Sequence, residues 1–157
     1  MLKYVRVAKK AAEKATTHFK TGAVLVYKHK IIKIGWSTLE RNMISGQLLG
    51  ATLHAEIVAL INKTFSSSLY HIVSGKEKKK PYKGATMYVV RIGVFGELKL
   101  SRPCNHCVKL MHAFGVKKVV FSTESGICVA KIKDLVKDKT YHTKGTMYVE
   151  TLNEKIL

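Results

Sequence analysis

Segments with helical periodicity alternate along this chain with segments typical of β-strands, and this order restricts the folds that the chain can adopt. Apolar residues repeat at helical spacing over 2–17 and predict an amphipathic first helix. Two apolar runs follow, at 23–27 and 31–36, and because only a hairpin's length separates them they predict an antiparallel pair of strands. Further helices are predicted from residue 52 or 53 to about 62, and at about 104–114, where Pro103 suits the first turn.

The second half of the chain contributes three more predicted strands, at 85–92, 116–122 and 127–132. The first is apolar enough to be buried on both faces, which predicts a place in the centre of a sheet. The last two are separated only by the turn-forming residues 123–126. A parallel return would need a crossover of about a dozen residues or more, so the last strand is predicted to be antiparallel.

These elements predict an α/β fold in three layers, with helices on both faces of a mixed sheet of about five strands. The chain has 157 residues, which suffices for one domain with a full core, and we expect a single domain over 1–157. Residues 37–51 hold Ser, Asn and Gly and are predicted to form a loop, whereas the tail over 134–157 has no clear assignment.

The charge of the chain points to anionic partners. With 28 Lys and Arg against 10 Asp and Glu, the formal net charge is +18. Such a surplus attracts nucleotides, nucleic acid or an anionic surface without distinguishing among them, so a basic surface for nucleic acid is one expectation. No stretch approaches the roughly 18 apolar residues of a membrane span, so no membrane partner is expected.

The cysteines indicate the compartment. Their count of 3 is odd and the chain lacks a secretory start, which favours a reducing, intracellular and cytoplasmic location. In that setting Cys104 and Cys107, at C-x-x-C spacing, are typical of a metal or redox site. Cys128, far downstream, is expected to be a buried core residue.

Two short motifs at predicted helix starts carry the chemistry: His54-Ala55-Glu56 and Pro103-Cys104-Asn105-His106-Cys107. In the second motif the two sulfurs leave the same face of the first helical turn. The free N–H groups and the dipole of a helix N-terminus favour thiolate over thiol, and thiolate is the form that binds a metal.

Two thiolates and one imidazole would give Zn2+ three protein ligands and leave a fourth position for water. Zinc lowers the pKa of its water to about 7, and Glu56 could take the water proton and return it to a substrate nitrogen. Two alternatives stay open at this point. One is a structural zinc site completed by His106 or Cys128, and the other is a redox C-x-x-C pair.

The two motifs resemble the H-x-E and P-C-x-x-C signature of the zinc-dependent cytidine/deoxycytidylate deaminase superfamily. The resemblance covers about residues 20–122. Within this range the sequence is similar in style to deoxycytidylate deaminases, including viral relatives. It implies that His54, Cys104 and Cys107 hold zinc and that Glu56 moves protons while hydroxide attacks C4 of cytosine, or C6 of adenine, and ammonia leaves.

The resemblance also implies substrate contacts. The backbone N–H of Ala55 would donate to the pyrimidine carbonyl, and the backbone carbonyl of Ser101 would accept from the exocyclic amine. Ser37 stands where relatives carry an Asn that contacts the sugar, and Asn42 is a candidate replacement.

Arg41 and Arg102 flank the predicted site, and either could clamp a phosphate through its forked donors. Solvated surface arginines are the alternative interpretation.

Three functions follow. The leading hypothesis is hydrolytic deamination of a cytosine nucleotide, dCMP to dUMP, with release of ammonia. The second is an RNA- or DNA-acting base deaminase, which the charge favours but the predicted turn at 123–126 opposes, because relatives that edit polynucleotides tend to have parallel last strands. The third is a catalytically silent, nucleic-acid-binding or virion-associated structural protein, which Ser37 and the charge permit. By analogy with relatives, a homo-oligomer is expected.

Overall fold

The computed structural model describes residues 1–39, 42–44, 47–50, 53–61 and 80–138, with the backbone alone at 42–44 and 47–50. Its helices are α1 (Leu2–Glu13), α2 (Ala55–Leu60), α3 (Asn105–Phe114) and α4 (Ile132–Lys137). Its strands are β1 (Lys20–Tyr27), β2 (Lys30–Trp36), β3 (Asn42–Ile44), β4 (Gln47–Gly50), β5 (Thr86–Ile92), β6 (Leu98–Lys99), β7 (Lys118–Thr123) and β8 (Gly126–Lys131).

Five strands form the main sheet in the order β2-β1-β5-β7-β8, and β6 adds to the end of β5. Strand β1 is antiparallel to β2 and to β5, β5 is parallel to β7, and β8 returns antiparallel to β7. The predicted mixed sheet with an antiparallel last strand is therefore confirmed. The tight turn before Gly126, whose φ is +144°, leaves no length for a crossover.

The central strand β5 is buried on both faces, as its composition predicts. Met87 and Val89 pack with the core under α2, α3 and α4, whereas Tyr88 and Val90 pack with the core under α1. Successive side chains on a strand point to opposite faces, so this alternation fixes which helices cover each face of the sheet. The three-layer arrangement is confirmed.

The prediction of a loop over 37–51 is wrong. The structure places β3 and β4 there as an antiparallel pair with Ile44 opposite Gln47. In that arrangement the backbone donors and acceptors of the two segments satisfy one another, which the Ser, Asn and Gly content of the segment did not reveal.

Two predicted boundaries also move. Helix α1 ends at Glu13, four residues before the predicted end at 17, because the Thr16 N–H donates to the Ser37 carbonyl (3.3 Å) and not to the helix carbonyl four residues earlier. The last strand ends at Lys131, since Ile132 begins α4 and is fully buried in the core.

The prediction that Cys128 is a buried core residue is wrong. The thiol is exposed, because Cys128 lies on β8, the outermost strand at that edge of the sheet.

Candidate active site

Strand β2 and a backbone bridge position the first motif. Leu53 exchanges two backbone hydrogen bonds with Thr38, each 3.0 Å long, directly before the motif. His54 is then the extended N-cap of α2 (φ −70°, ψ 146°), and its carbonyl accepts from the N–H of Val58 at 3.1 Å. Glu56 therefore lies in the first turn of α2, as predicted.

The second motif begins α3 in the same way. Cys104 is the extended N-cap (φ −69°, ψ 163°), and its carbonyl accepts from the N–H of Val108 at 2.9 Å. Cys107 lies within the first turn, and Gly115 ends the helix in the left-handed conformation (φ 88°) that glycine adopts without strain. The predicted helix at about 104–114 is confirmed.

The two helix starts bring one imidazole and two thiols together. His54 Nδ1 lies 3.5 Å from Cys104 Sγ and 3.4 Å from Cys107 Sγ. The three candidate ligand atoms all lie within 4.8 Å of one another, and both cysteines are buried. In a tetrahedral zinc site, bonds of about 2.3 Å to sulfur and about 2.0 Å to nitrogen place sulfur and nitrogen about 3.5 Å apart. The side chains present thus fit zinc.

The protons of this cluster are shared unequally. Hydrogen bonding from the Cys107 thiol, with a smaller contribution from His54, lowers the pKa of Cys104 well below its ordinary value although burial opposes it. The same Cys104 contact and burial raise the pKa of Cys107. Burial lowers the pKa of His54, but hydrogen bonding and charge from Cys104 and the charge of Glu56 outweigh it and raise that pKa to about 9. The lowered pKa of Cys104 makes its sulfur the preferred acceptor of hydrogen bonds from the Cys107 thiol and the His54 ring.

Zinc binding is expected to displace these protons. Since only the deprotonated ligands bind the metal, zinc binding at pH 7 should release the protons of both Cys107 and His54. The His54 pKa of about 9 lies above neutrality, so zinc affinity should fall as the pH is lowered from 9. Calorimetric titration in two buffers of different ionisation enthalpy measures the released protons. A titration that releases none would contradict this protonation pattern.

Glu56 is the carboxyl next to this cluster. Its side chain is buried, with the residue 5% exposed, and burial raises the pKa of the carboxyl against the opposing charge of His54. A raised pKa lies closer to neutral pH, and a group that accepts and returns a proton works best when its pKa is near the working pH.

Glycine controls how closely a helix approaches each face of the sheet. A Cβ on Gly35 would lie 2.5 Å from the Ala55 carbonyl oxygen in α2, and a Cβ on Gly22 would lie 2.1 Å from the Ala8 carbonyl oxygen in α1. Both contacts are with backbone, so neither helix can avoid the clash by a rotamer change.

We therefore expect Gly35→Ala to weaken zinc binding and Gly22→Ala to leave zinc affinity unchanged. Each substitution should lower the free energy of unfolding by about 1–3 kcal/mol, the usual cost of overpacking. Only the first displaces α2, which carries His54 and Glu56. Urea denaturation and zinc titration of the two folded variants test this. Equal zinc affinity in both would contradict it.

The segment before Cys104 is held firmly against the sheet. The Ser101 hydroxyl donates to the Val89 carbonyl (2.8 Å) and lies 2.9 Å from the Ser122 hydroxyl, and the Ser101 N–H donates to the Ser122 carbonyl (2.9 Å). Ala55, the first residue of α2, is fully buried. The contacts of the Ala55 N–H and the Ser101 carbonyl with a substrate stay predictions.

The Ser37 side chain forms hydrogen bonds with the segment that precedes β1. Its hydroxyl lies 2.6 Å from the Thr17 hydroxyl and donates to the carbonyl of Phe19 at 3.1 Å. Ser37 thus links the end of β2 to the segment that enters β1, and its contact with a sugar stays a prediction.

The other predicted contacts lie at the margins of the described structure. Arg41 lies outside the described residues, and for Asn42 only the backbone, in β3, is described. The Arg102 guanidinium forms an ion pair with Asp138, the C-cap of α4. Their substrate contacts stay predictions.

Arg91, at the end of β5, is not among the site residues that the sequence predicts. Its guanidinium carbon is 4.1 Å from the centroid of the Phe19 ring. The alternation of β5 was the available signal, since Arg91 falls on the same face as Met87 and Val89.

The three-layer fold, the His-Cys-Cys cluster and the adjacent buried carboxyl together define a zinc-dependent hydrolase site of the deaminase type. When bound, zinc acidifies a coordinated water to a pKa of about 7 and supplies hydroxide near neutral pH. The protein-family model that describes the cytidine and deoxycytidylate deaminase zinc-binding region matches residues 1–123 of this chain. The chain belongs to this family and is a zinc-dependent deaminase of the cytidine/deoxycytidylate type.

Solved structures of deaminases share the fold. The dCMP deaminase of cyanophage S-TIM5 is similar with a TM-score of 0.52 and 19% identity, over 90% of this chain and 92% of that one. The cytidine deaminase of Burkholderia pseudomallei gives a TM-score of 0.56 and 23% identity, over 87% of this chain and 96% of that one. A search of curated proteins found no match.

Within the described ranges, no helix is both long enough and apolar enough to span a bilayer.

Proposed function

We propose that this protein converts dCMP to dUMP and releases ammonia. The observation that carries the proposal is the convergence of His54, Cys104 and Cys107 beside the buried carboxyl of Glu56, in a chain of the deaminase family. The style of the second motif, which resembles that of deoxycytidylate deaminases, supports a deoxycytidylate substrate over cytidine.

In the proposed reaction His54, Cys104 and Cys107 hold zinc, and Glu56 handles the protons. Water adds to C4 of the cytosine ring, and its proton passes to the Glu56 carboxylate. The same carboxyl then delivers the proton to the exocyclic nitrogen, the C4–N bond breaks, and ammonia leaves. The second proton of the water ends on ring N3, and the oxygen remains as the C4 carbonyl of uracil. Burial of Glu56 suits this role because few water molecules compete for its proton.

Backbone groups at the two helix starts would orient the base. The Ala55 N–H lies in the first turn of α2, where backbone donors have no intrahelical acceptor, and would donate to the ring carbonyl. The Ser101 carbonyl would accept from the exocyclic amine, and the Ser101 bonds to β5 and β7 would keep it in place.

A free nucleotide is favoured over a polynucleotide by the antiparallel β8, the form that we associate with deaminases of free nucleosides. The silent, virion-associated alternative gives no reason to keep an open set of metal ligands beside a carboxyl. We further propose one domain over 1–157, since Ile132 and Leu135 of α4 enter the same core as α3. A homo-oligomer, an intracellular location and a nucleic-acid surface stay predictions.

One substrate panel tests the proposed function. The purified protein is analysed for zinc and then assayed for ammonia release from cytidine, deoxycytidine, CMP, dCMP and single-stranded oligonucleotides. We expect about one zinc per chain and the highest rate with dCMP. Fastest turnover of an oligonucleotide would favour the editing function. Equal inactivity on all substrates, together with salt-dependent binding to generic nucleic acid, would favour the structural one.

A further inference from the structure

We propose that Arg91, held against Phe19, binds the phosphate of the nucleotide substrate and makes this deaminase prefer a nucleotide to a nucleoside. This inference rests on the proposed function, because it assigns a residue to the part of the substrate that the zinc cluster does not touch.

The first step is the face of the sheet on which Arg91 lies. On β5, Met87 and Val89 belong to the core that also contains Cys104 and Cys107. Side chains two residues apart share a face, so Arg91 continues that row beyond the buried core. It is half-buried at the end of β5, on the side of the sheet that carries the metal cluster.

The second step is the connection between Arg91 and the metal-ligand segment. The Arg91 N–H donates to the Ser122 hydroxyl at 3.0 Å, and that hydroxyl lies 2.9 Å from the hydroxyl of Ser101. Ser101 precedes the ligand Cys104 by three residues. A short chain of buried contacts thus joins the strand position of Arg91 to the start of α3.

The third step is how the side chain is held. The guanidinium carbon lies 4.1 Å from the Phe19 ring centroid, a cation–π contact that holds the guanidinium over the ring. Phe19 is itself fixed, since its carbonyl accepts from the hydroxyls of Thr17 (2.8 Å) and Ser37 (3.1 Å). Its ring is nevertheless 58% exposed. Ser37 thus helps to support the aromatic ring under Arg91.

The fourth step is charge. Within the described part of the chain, the neighbouring cation Lys99 is matched by acids, since its Nζ lies 3.5 Å from Glu97 and 3.6 Å from Glu124. Arg91 is paired across the sheet with Thr21 on one side and Lys99 on the other, and among the described residues its side chain contacts an aromatic ring and no carboxylate. Its forked N–H donors suit a phosphate, which they can bind through two parallel hydrogen bonds.

The test compares dCMP with deoxycytidine in wild-type protein and in Arg91→Met. We expect the substitution to raise KM for dCMP about 10-fold to 100-fold, the range for a lost charge-assisted pair, and to leave kcat and KM for deoxycytidine unchanged. Lys99→Met is the matched control, since it removes the same charge from the neighbouring position, and it should leave both substrates unaffected. Arg91→Lys should recover only part of the dCMP affinity, because an ammonium lacks the fork.

Calorimetric binding of dUMP and of deoxyuridine to the zinc-loaded proteins separates this inference from the proposed function. If the protein deaminates nothing but binds dUMP through Arg91, the proposed function fails and the phosphate site stands. If dCMP is deaminated equally well by wild type and Arg91→Met, or if both substrates lose rate equally, the phosphate site is overturned and the deaminase stands. Binding of neither product by the wild-type protein would also overturn it.

Discussion

Replacing Glu56 with glutamine is expected to lower kcat/KM for deamination by about 10²–10⁴-fold, the usual contribution of a general acid–base group. The amide has nearly the same shape as the carboxyl, so α2 and the metal ligands should keep their positions. It cannot accept a proton from water, and the leaving nitrogen therefore loses its proton source. Ammonia release from dCMP measures the effect.

Zinc content separates a loss of proton transfer from a loss of the site. We expect Glu56→Gln to bind zinc as the wild-type protein does, and Glu13→Gln, at the exposed end of α1, to retain full activity. A Glu56→Gln variant with wild-type turnover would remove Glu56 from the mechanism. One without zinc would show that Glu56 is needed to build the metal site.

Replacing Cys107 with serine is expected to abolish both zinc binding and turnover. The sulfur lies 3.4 Å from His54 Nδ1 at a position that is fully buried, and a serine hydroxyl does not deprotonate there to replace a thiolate. Residues that only support metal ligands commonly contribute 10–100-fold to affinity, so loss of a ligand should cost more than about 100-fold. Competition with a chromophoric chelator measures the zinc affinity.

Cys128→Ser provides the matched control, because Cys128 is the exposed cysteine. It should keep zinc and activity. If Cys128→Ser lost zinc as completely as Cys107→Ser, the structural zinc site with Cys128 as fourth ligand would replace the open catalytic site. If Cys107→Ser kept its zinc, the three-ligand assignment would be wrong.

Local patterns were enough to predict the class of fold and the three residues that form the candidate metal cluster. The alternation of apolar segments fixed the helices and strands, and the short turn before Gly126 fixed the direction of β8. The first-turn positions of Cys104 and Cys107 followed from their spacing, since residues three apart lie on one helix face. These features depend on neighbours within a few residues along the chain.

Other features depend on contacts between distant segments, which the chain pattern does not specify. The exposure of Cys128 depends on β8 being an edge strand, and the early end of α1 depends on the Thr16 N–H donating to the carbonyl of Ser37 at the end of β2. The site shows the same division. Residue types and spacing predicted that His54 and the cysteines bind zinc, but the distance between Nδ1 and the sulfurs results from two helices packing on one sheet. The proposed role of Arg91 also depends on tertiary structure. Only the pairing of β1 with β5 places its guanidinium over the ring of Phe19, which directly precedes β1.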